Sequence, residues 1–217
     1  MEVYQNRDCY NNEQQSFGGG LPVWVHRPGF RISGAMLTST FRKGELIHAG
    51  SPVEYNAETH VAKILKCFKV VSATVDGSNT IIGLAKNFTT PELSVGMNLM
   101  VSPSTIGGTG KSVTVLAVNT SITNRYTITV VTANMDAISV GGYLVEAASA
   151  GSAVAMYCQP NTLLLDDLMI GNQNSVSIPK NTGCSIYRNT MPDIADVVLN
   201  NVKSNLMIEF EYYPEIQ

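Results

Sequence analysis

The sequence predicts a mainly all-β protein with one short helix near the C-terminus. Three observations carry this. Apolar and β-branched residues recur with a period of two in several short runs, as they do in half-buried strands. Gly, Asn and Asp punctuate those runs at turn spacing. Only one stretch, after Pro192, is read as a helix.

Residues 1–20 are polar, with Asn11-Asn12, Gln14-Gln15 and Gly18-Gly19-Gly20, the composition of a flexible arm. Tyr4, Tyr10 and Phe17 are its aromatic anchors, which either fold back or dock on a partner. "LPVWV" and "FRISGAML" then read as strands, and Gly44 and Gly50-Ser51-Pro52 as turns within "FRKGELIHAGSPVEYN". In "HVAKILKCFKVV", Val61, Ile64, Leu65 and Phe68 also fit a helical face, but the β-branched tail favours an extended reading. Asp76-Gly77 between two apolar runs is a hairpin signal.

"ELSVGMNLMVS" alternates from Leu93 to Val101, and "RYTITVVTA" places Tyr126, Ile128 and Val130 on one face. Ser94-Val-Gly-Met-Asn-Leu-Met-Val101 is echoed by Ser139-Val-Gly-Gly-Tyr-Leu-Val145, each a turn glycine ahead of an apolar strand. This frames a small barrel-like β module over residues 69–146. "AASAGSAVA", Ala147 to Ala155, reads as a small-residue linker out of it. "NTLLLDDLMI" and "SVSIPKNTGCSIYRN" are further strands, split by a turn at Gly171-Asn-Gln-Asn174. A helix is expected from about Pro192 to Lys203, with Asp193 in its first turn, Ile194, Val197 and Val198 as its stripe, and Lys203 near its end. "NLMIEFEYY" closes the chain as a strand with Leu206, Ile208, Phe210 and Tyr212 on one face.

Charged residues make up only 14 % of the chain and the net charge is -3. No cluster of Lys and Arg offers a footprint for nucleic acid or an anionic membrane. No apolar run approaches the roughly 18 residues of a membrane span, and the first residues lack a basic stretch followed by an apolar one. The expected place of synthesis is therefore the cytoplasm. Cys9, Cys67, Cys158 and Cys184 form no CxxC pair and read as small buried hydrophobes.

"STIGGTGKSVTV" invites comparison with a phosphate-binding loop through Gly108, Gly110, Lys111 and Ser112. The motif needs a glycine where Thr105 stands, and a helix where Ser112 to Val118 reads as strand. ATP and GTP are therefore not expected to bind. His26, His48 and His60 lack metal-site spacing; His48 and His60 with Glu45 and Glu58 are the sole set that tertiary folding would have to bring together. Asp166 and Asp167 are adjacent, so on a strand they point to opposite faces and cannot work as a pair. No nucleophile elbow is present, and no enzyme activity, metal or cofactor is expected. Trp24, Phe30 and Tyr55 suit either a core or a sugar-binding groove, which keeps a carbohydrate-binding, adhesive β module as an alternative.

"KGELIHAGSPVEYNAETHVAKI", Lys43 to Ile64, resembles the opening of tailed-phage head fiber and capsid head decoration proteins, like those of phages infecting gut Bacteroidetes. "TLLLDDLMIGNQNSVSI", Thr162 to Ile178, resembles the segment that follows it there. The resemblance implies a decoration-type β domain formed by residues 21–68 plus 147–217 and interrupted by the module at 69–146. It further implies a non-enzymatic virion protein on the outer capsid, assembled in the host cytoplasm, with the major capsid protein and its own copies in a homotrimer as partners. A host-surface or mucosal glycan is a further candidate ligand.

Overall fold

The computed structural model describes residues 23–26, 31–171, 175–179 and 185–211. Over these residues the chain is mainly β with one α-helix. β1 (Trp24–His26), β2 (Arg31–Leu37), β3 (Leu46–Ile47), β4 (Pro52–Asn56) and β5 (Val61–Ile64) precede a run of eight strands. That run is β6 (Cys67–Asp76), β7 (Asn79–Ala85), β8 (Asn98–Val101), β9 (Thr109–Thr114), β10 (Ala117–Asn119), β11 (Arg125–Val131), β12 (Tyr143–Glu146) and β13 (Gly151–Ala155). β14 (Thr162–Leu163), β15 (Leu168–Met169), β16 (Ser175–Pro179), β17 (Ser185–Tyr187), helix α1 (Asp196–Leu206) and β18 (Glu209–Glu211) complete it.

The strands β6 to β13 form one sheet in the order β10-β11-β7-β6-β12-β8-β9-β13. It nearly closes into a barrel because β9 runs into β10 and changes partner on the way. Val115 exchanges backbone hydrogen bonds with Gly96 and Met97 on the β8 side, and the next residue, Leu116, donates its N–H to Thr129 of β11. The barrel is filled by Phe68, Ile82, Leu84, Leu99, Ile128 and Leu144, all fully buried. Tyr126, Ile128 and Val130 share its interior face as their spacing requires. The β6–β7 hairpin turns at Gly77, φ +61°, next to the residue pair Asp76–Asn79.

Strands outside this run build the remainder. β14-β4-β5-β2-β16 is a five-stranded sheet in which β2 and β5 run parallel, β15 pairs with β3, and β1-β17-β18 is a third small sheet. A separate core gathers Trp24, Ile186, Ile194, Val198 and Val202 around α1, and it also takes in Met100 and Val145 from the barrel wall. β8 and β12 pair with one another and are two-faced: Leu99 and Leu144 enter the barrel, Met100 and Val145 the α1 core.

That arrangement corrects the alternation expected over Leu93 to Val101. Only residues 98–101 are strand, adjacent Leu99 and Met100 are both fully buried, and Val95 is 62 % exposed. A strand covered on both sides has no polar face. The echo has a concrete meaning instead. Met97 donates its N–H to Ser94 O and Gly142 to Ser139 O, with Gly96 and Gly141 at φ +89° and +88°, so each copy is a type II turn feeding one of the two paired strands.

Three further expectations are corrected. "AASAGSAVA" is not merely a linker, since β13 (Gly151–Ala155) within it pairs with β9; small residues lack strand propensity, but a waiting partner edge overrides it. α1 begins at Asp196, not near Pro192, because Ile194 and Ala195 are fully buried ahead of it; its buried stripe is Val198, Val202 and Leu206. Leu206 thus ends the helix and is not part of the last strand, which over the described residues is Glu209–Glu211 and pairs in parallel with β17. Tyr212 and the turn at 172–174 lie outside the described residues.

Gly50 shows how tightly the turn before β4 is held. Its φ is +81°, and a Cβ there would stand 2.9 Å from Met191 Cβ and 3.1 Å from Val23 Cγ1. Gly50→Ala is therefore expected to cost about 2 to 4 kcal/mol, from the left-handed backbone and from overpacking together, read as a lower urea midpoint at unchanged slope.

Candidate functional site

The structure separates most residues that the sequence singles out. Tyr4, Tyr10, Phe17 and Phe30 lie outside the described residues, as do Cys9 and Cys184. Trp24 is 7 % exposed in the α1 core, whereas Tyr55 packs at the five-stranded sheet, so these two do not line a common groove. The Tyr55 hydroxyl lies 2.8 Å from His60 Nδ1 across the β4–β5 turn. Glu45 faces Lys66, and His48 stands 3.7 Å from Asp167, so the set of His48, His60, Glu45 and Glu58 does not converge. Among the described residues, no group of His, Cys, Asp and Glu has metal-binding size. Asp167 accepts the Ala49 N–H at 2.7 Å, a structural use that ties the β14–β15 connection to the β3–β4 turn.

Where the chain crosses into and out of the barrel, a charged cluster is buried that sequence reasoning did not single out. Lys66 follows β5 and leads into β6; its Nζ donates to Glu45 Oε1 at 2.5 Å and to the Glu92 carbonyl at 3.1 Å, and it sits 4.8 Å from the Phe41 ring centroid. Both partners are close to fully buried, Glu45 2 % and Lys66 5 % exposed. Arg42 pairs with Glu92 at 2.6 Å nearer the surface. Glu146, at the end of β12, donates its backbone N–H to Lys66 O at 3.0 Å. Lys66 is one lysine among several in an apolar stretch, and nothing local marks it as buried.

Burial pushes the Glu146 carboxyl above the ordinary glutamate range, with Lys66 nearby opposing the shift. A carboxyl raised in the folded state binds more protons there than in the unfolded chain, so its contribution is fullest at acid pH and is lost as pH rises. Glu146→Gln is accordingly expected to have a higher urea midpoint than the parent at pH 7, with the difference closing toward pH 4. Burial also pushes the thiols of Cys67, to about 12, and of Cys158 upward, which makes both poor nucleophiles.

The glycine-rich loop leads into strand, not helix. Lys111 lies in β9 and donates its backbone N–H to Asp136 Oδ2 at 2.8 Å, while the Ser112 hydroxyl donates to Ser149 O at 2.6 Å. Beside it opens a cavity of about 490 Å³, bounded by β9, the start of β13 and the end of β11 with the turn after it. A second groove, of about 410 Å³, runs between α1 and the barrel, lined by Tyr143, Asp196 and Asn200 among others. No family model, curated protein or solved structure matches the chain.

Proposed function

We propose that the chain is a structural, non-enzymatic protein of the outer capsid of a tailed phage, of the head fiber or decoration kind. It is assembled in the host cytoplasm as a homotrimer, and it attaches through its N-terminal part to the major capsid protein while presenting the barrel outward. One observation carries the reading. The two segments that bear the resemblance, Lys43 to Ile64 and Thr162 to Ile178, are far apart in sequence yet fold against each other strand by strand: β14 pairs with β4, and β15 with β3. The barrel is inserted between them, which is the layout the resemblance implies. Tyr4, Tyr10 and Phe17 supply the anchors in this reading. The low charge fits a protein whose partners are proteins and not nucleic acid.

The reading is tested on the full-length chain. Light scattering is expected to give three times the chain mass, and removal of residues 1–20 to preserve that mass while abolishing co-sedimentation with capsids that lack the protein. A monomer, or an arm-deleted chain that still sediments with such capsids, contradicts the corresponding half.

A further inference from the structure

The cavity beside β9 is a missing rung in the sheet. Val115 directs both its N–H and its C=O to the β8 side. Backbone groups alternate along a strand, so Thr114 and Leu116 direct theirs to the other side. There Leu116 meets Thr129 of β11, and Ser112 stands opposite Gly151 of β13. Thr114, between them, pairs with Asn98 of β8 but, among the described residues, has no strand on its far side, where it lines the cavity. One donor and one acceptor that point the same way are met by the N–H and the carbonyl or carboxylate oxygen flanking one Cα of an extended ligand residue, as across an antiparallel pair.

The remaining lining narrows the chemistry. Among the described residues, Lys111 is the one charged residue bounding the cavity, and Asp136, engaged by the Lys111 backbone, does not line it. Leu116, half exposed, and Val131 provide an aliphatic wall. Lys111 and Thr114 are about 10 Å apart along the strand, within the combined reach of a lysine side chain and one ligand residue. We propose that this gap binds an N-acylated residue with a free carboxylate, the chemistry of a peptide C-terminus: its N–H and one carboxylate oxygen complete the rung at Thr114, Lys111 meets the carboxylate charge, and an aliphatic side chain rests on Leu116 and Val131. This goes beyond capsid attachment and does not depend on it.

The test is an NMR titration of the full chain with N-acetyl-leucine. The amide resonances of Thr114 and Leu116 are expected to shift with a Kd on the order of 1 mM, the affinity such a small ligand can reach. Binding is expected to weaken at least about tenfold, the loss of one charge-assisted contact, with uncharged N-acetyl-leucinamide, with leucine lacking the acyl amide, and in Lys111→Met. The ligand series decides alone if that variant fails to fold. No shift at Thr114 by about 20 mM, or equal binding of the uncharged analogue, overturns the proposal. Binding of N-acetylneuraminic acid, which carries both groups on a sugar ring, with N-acetyl-leucine silent, overturns it as well.

Discussion

Lys66→Met is expected to destabilise the protein by about 3 to 5 kcal/mol, the usual cost of leaving one member of a buried ion pair without its partner. Glu45 is 2 % exposed and its carboxylate faces the Lys66 ammonium at 2.5 Å, so without the lysine it is a buried charge with neither water nor a counter-ion. Arg42 does not replace it, since its guanidinium is engaged with Glu92 at the surface; its backbone N–H alone reaches Glu45, at 3.2 Å. The double variant Glu45→Gln/Lys66→Met is expected to regain most of the loss, because desolvating the charge, and not the missing attraction, dominates the single change. Urea unfolding of parent, single and double variants gives the comparison. A single variant within about 1 kcal/mol of the parent would show the pair to be solvated in solution.

Cutting out residues 69–146 and joining the ends with a Gly/Ser linker is expected to leave a remainder without cooperative unfolding. An inserted module with closely spaced ends invites such an excision, and Cys67 and Val145 are indeed paired neighbours in the sheet. The α1 core, however, is shared: Met100 and Val145 pack there with Trp24, Ile186, Val198 and Val202. Removing buried side chains of that size costs about 2 to 5 kcal/mol each, against a total stability of about 5 to 15 kcal/mol for an ordinary domain. The reverse fragment, residues 66–156, retains the whole barrel core and its closure at Leu116, and is expected to fold. Near-UV circular dichroism and thermal melting of both pieces decide the point. A remainder that melts as sharply as the intact chain would show that the shared wall contributes little.

The parts of the fold that were legible in the sequence are those whose signals are local. The Asp76-Gly77 hairpin and the alternation of Tyr126, Ile128 and Val130 depend on residues within a few positions of each other, and both are in place. Signals that depend on distant partners did not reach the sequence level. β13 is a strand because β9 lies beside it, and the helix starts late because Ile194 and Ala195 are drawn into the core. The same limit applies to the candidate sites. Thr105 and the strand after Lys111 were enough to argue against a phosphate loop, but an open rung at Thr114 follows only from which strands stop at Ser112 and resume at Leu116. Likewise, the partner that makes Lys66 buried stands 21 positions away, in another sheet's approach.

The two crossings into and out of the barrel also set how it carries mechanical load. The chain enters at Lys66 and leaves after Ala155, and the two crossings meet at Glu146, which donates its N–H to Lys66 O and accepts the Tyr157 N–H at its own carbonyl. Tension between the barrel and the rest of the protein therefore divides between two adjacent tethers that are drawn in the same direction. Neither is peeled from the other. The strands at the crossing feel little relative displacement, and the first structure to yield under tension lies away from it, at short ladders such as the two-residue pairing of β15 with β3.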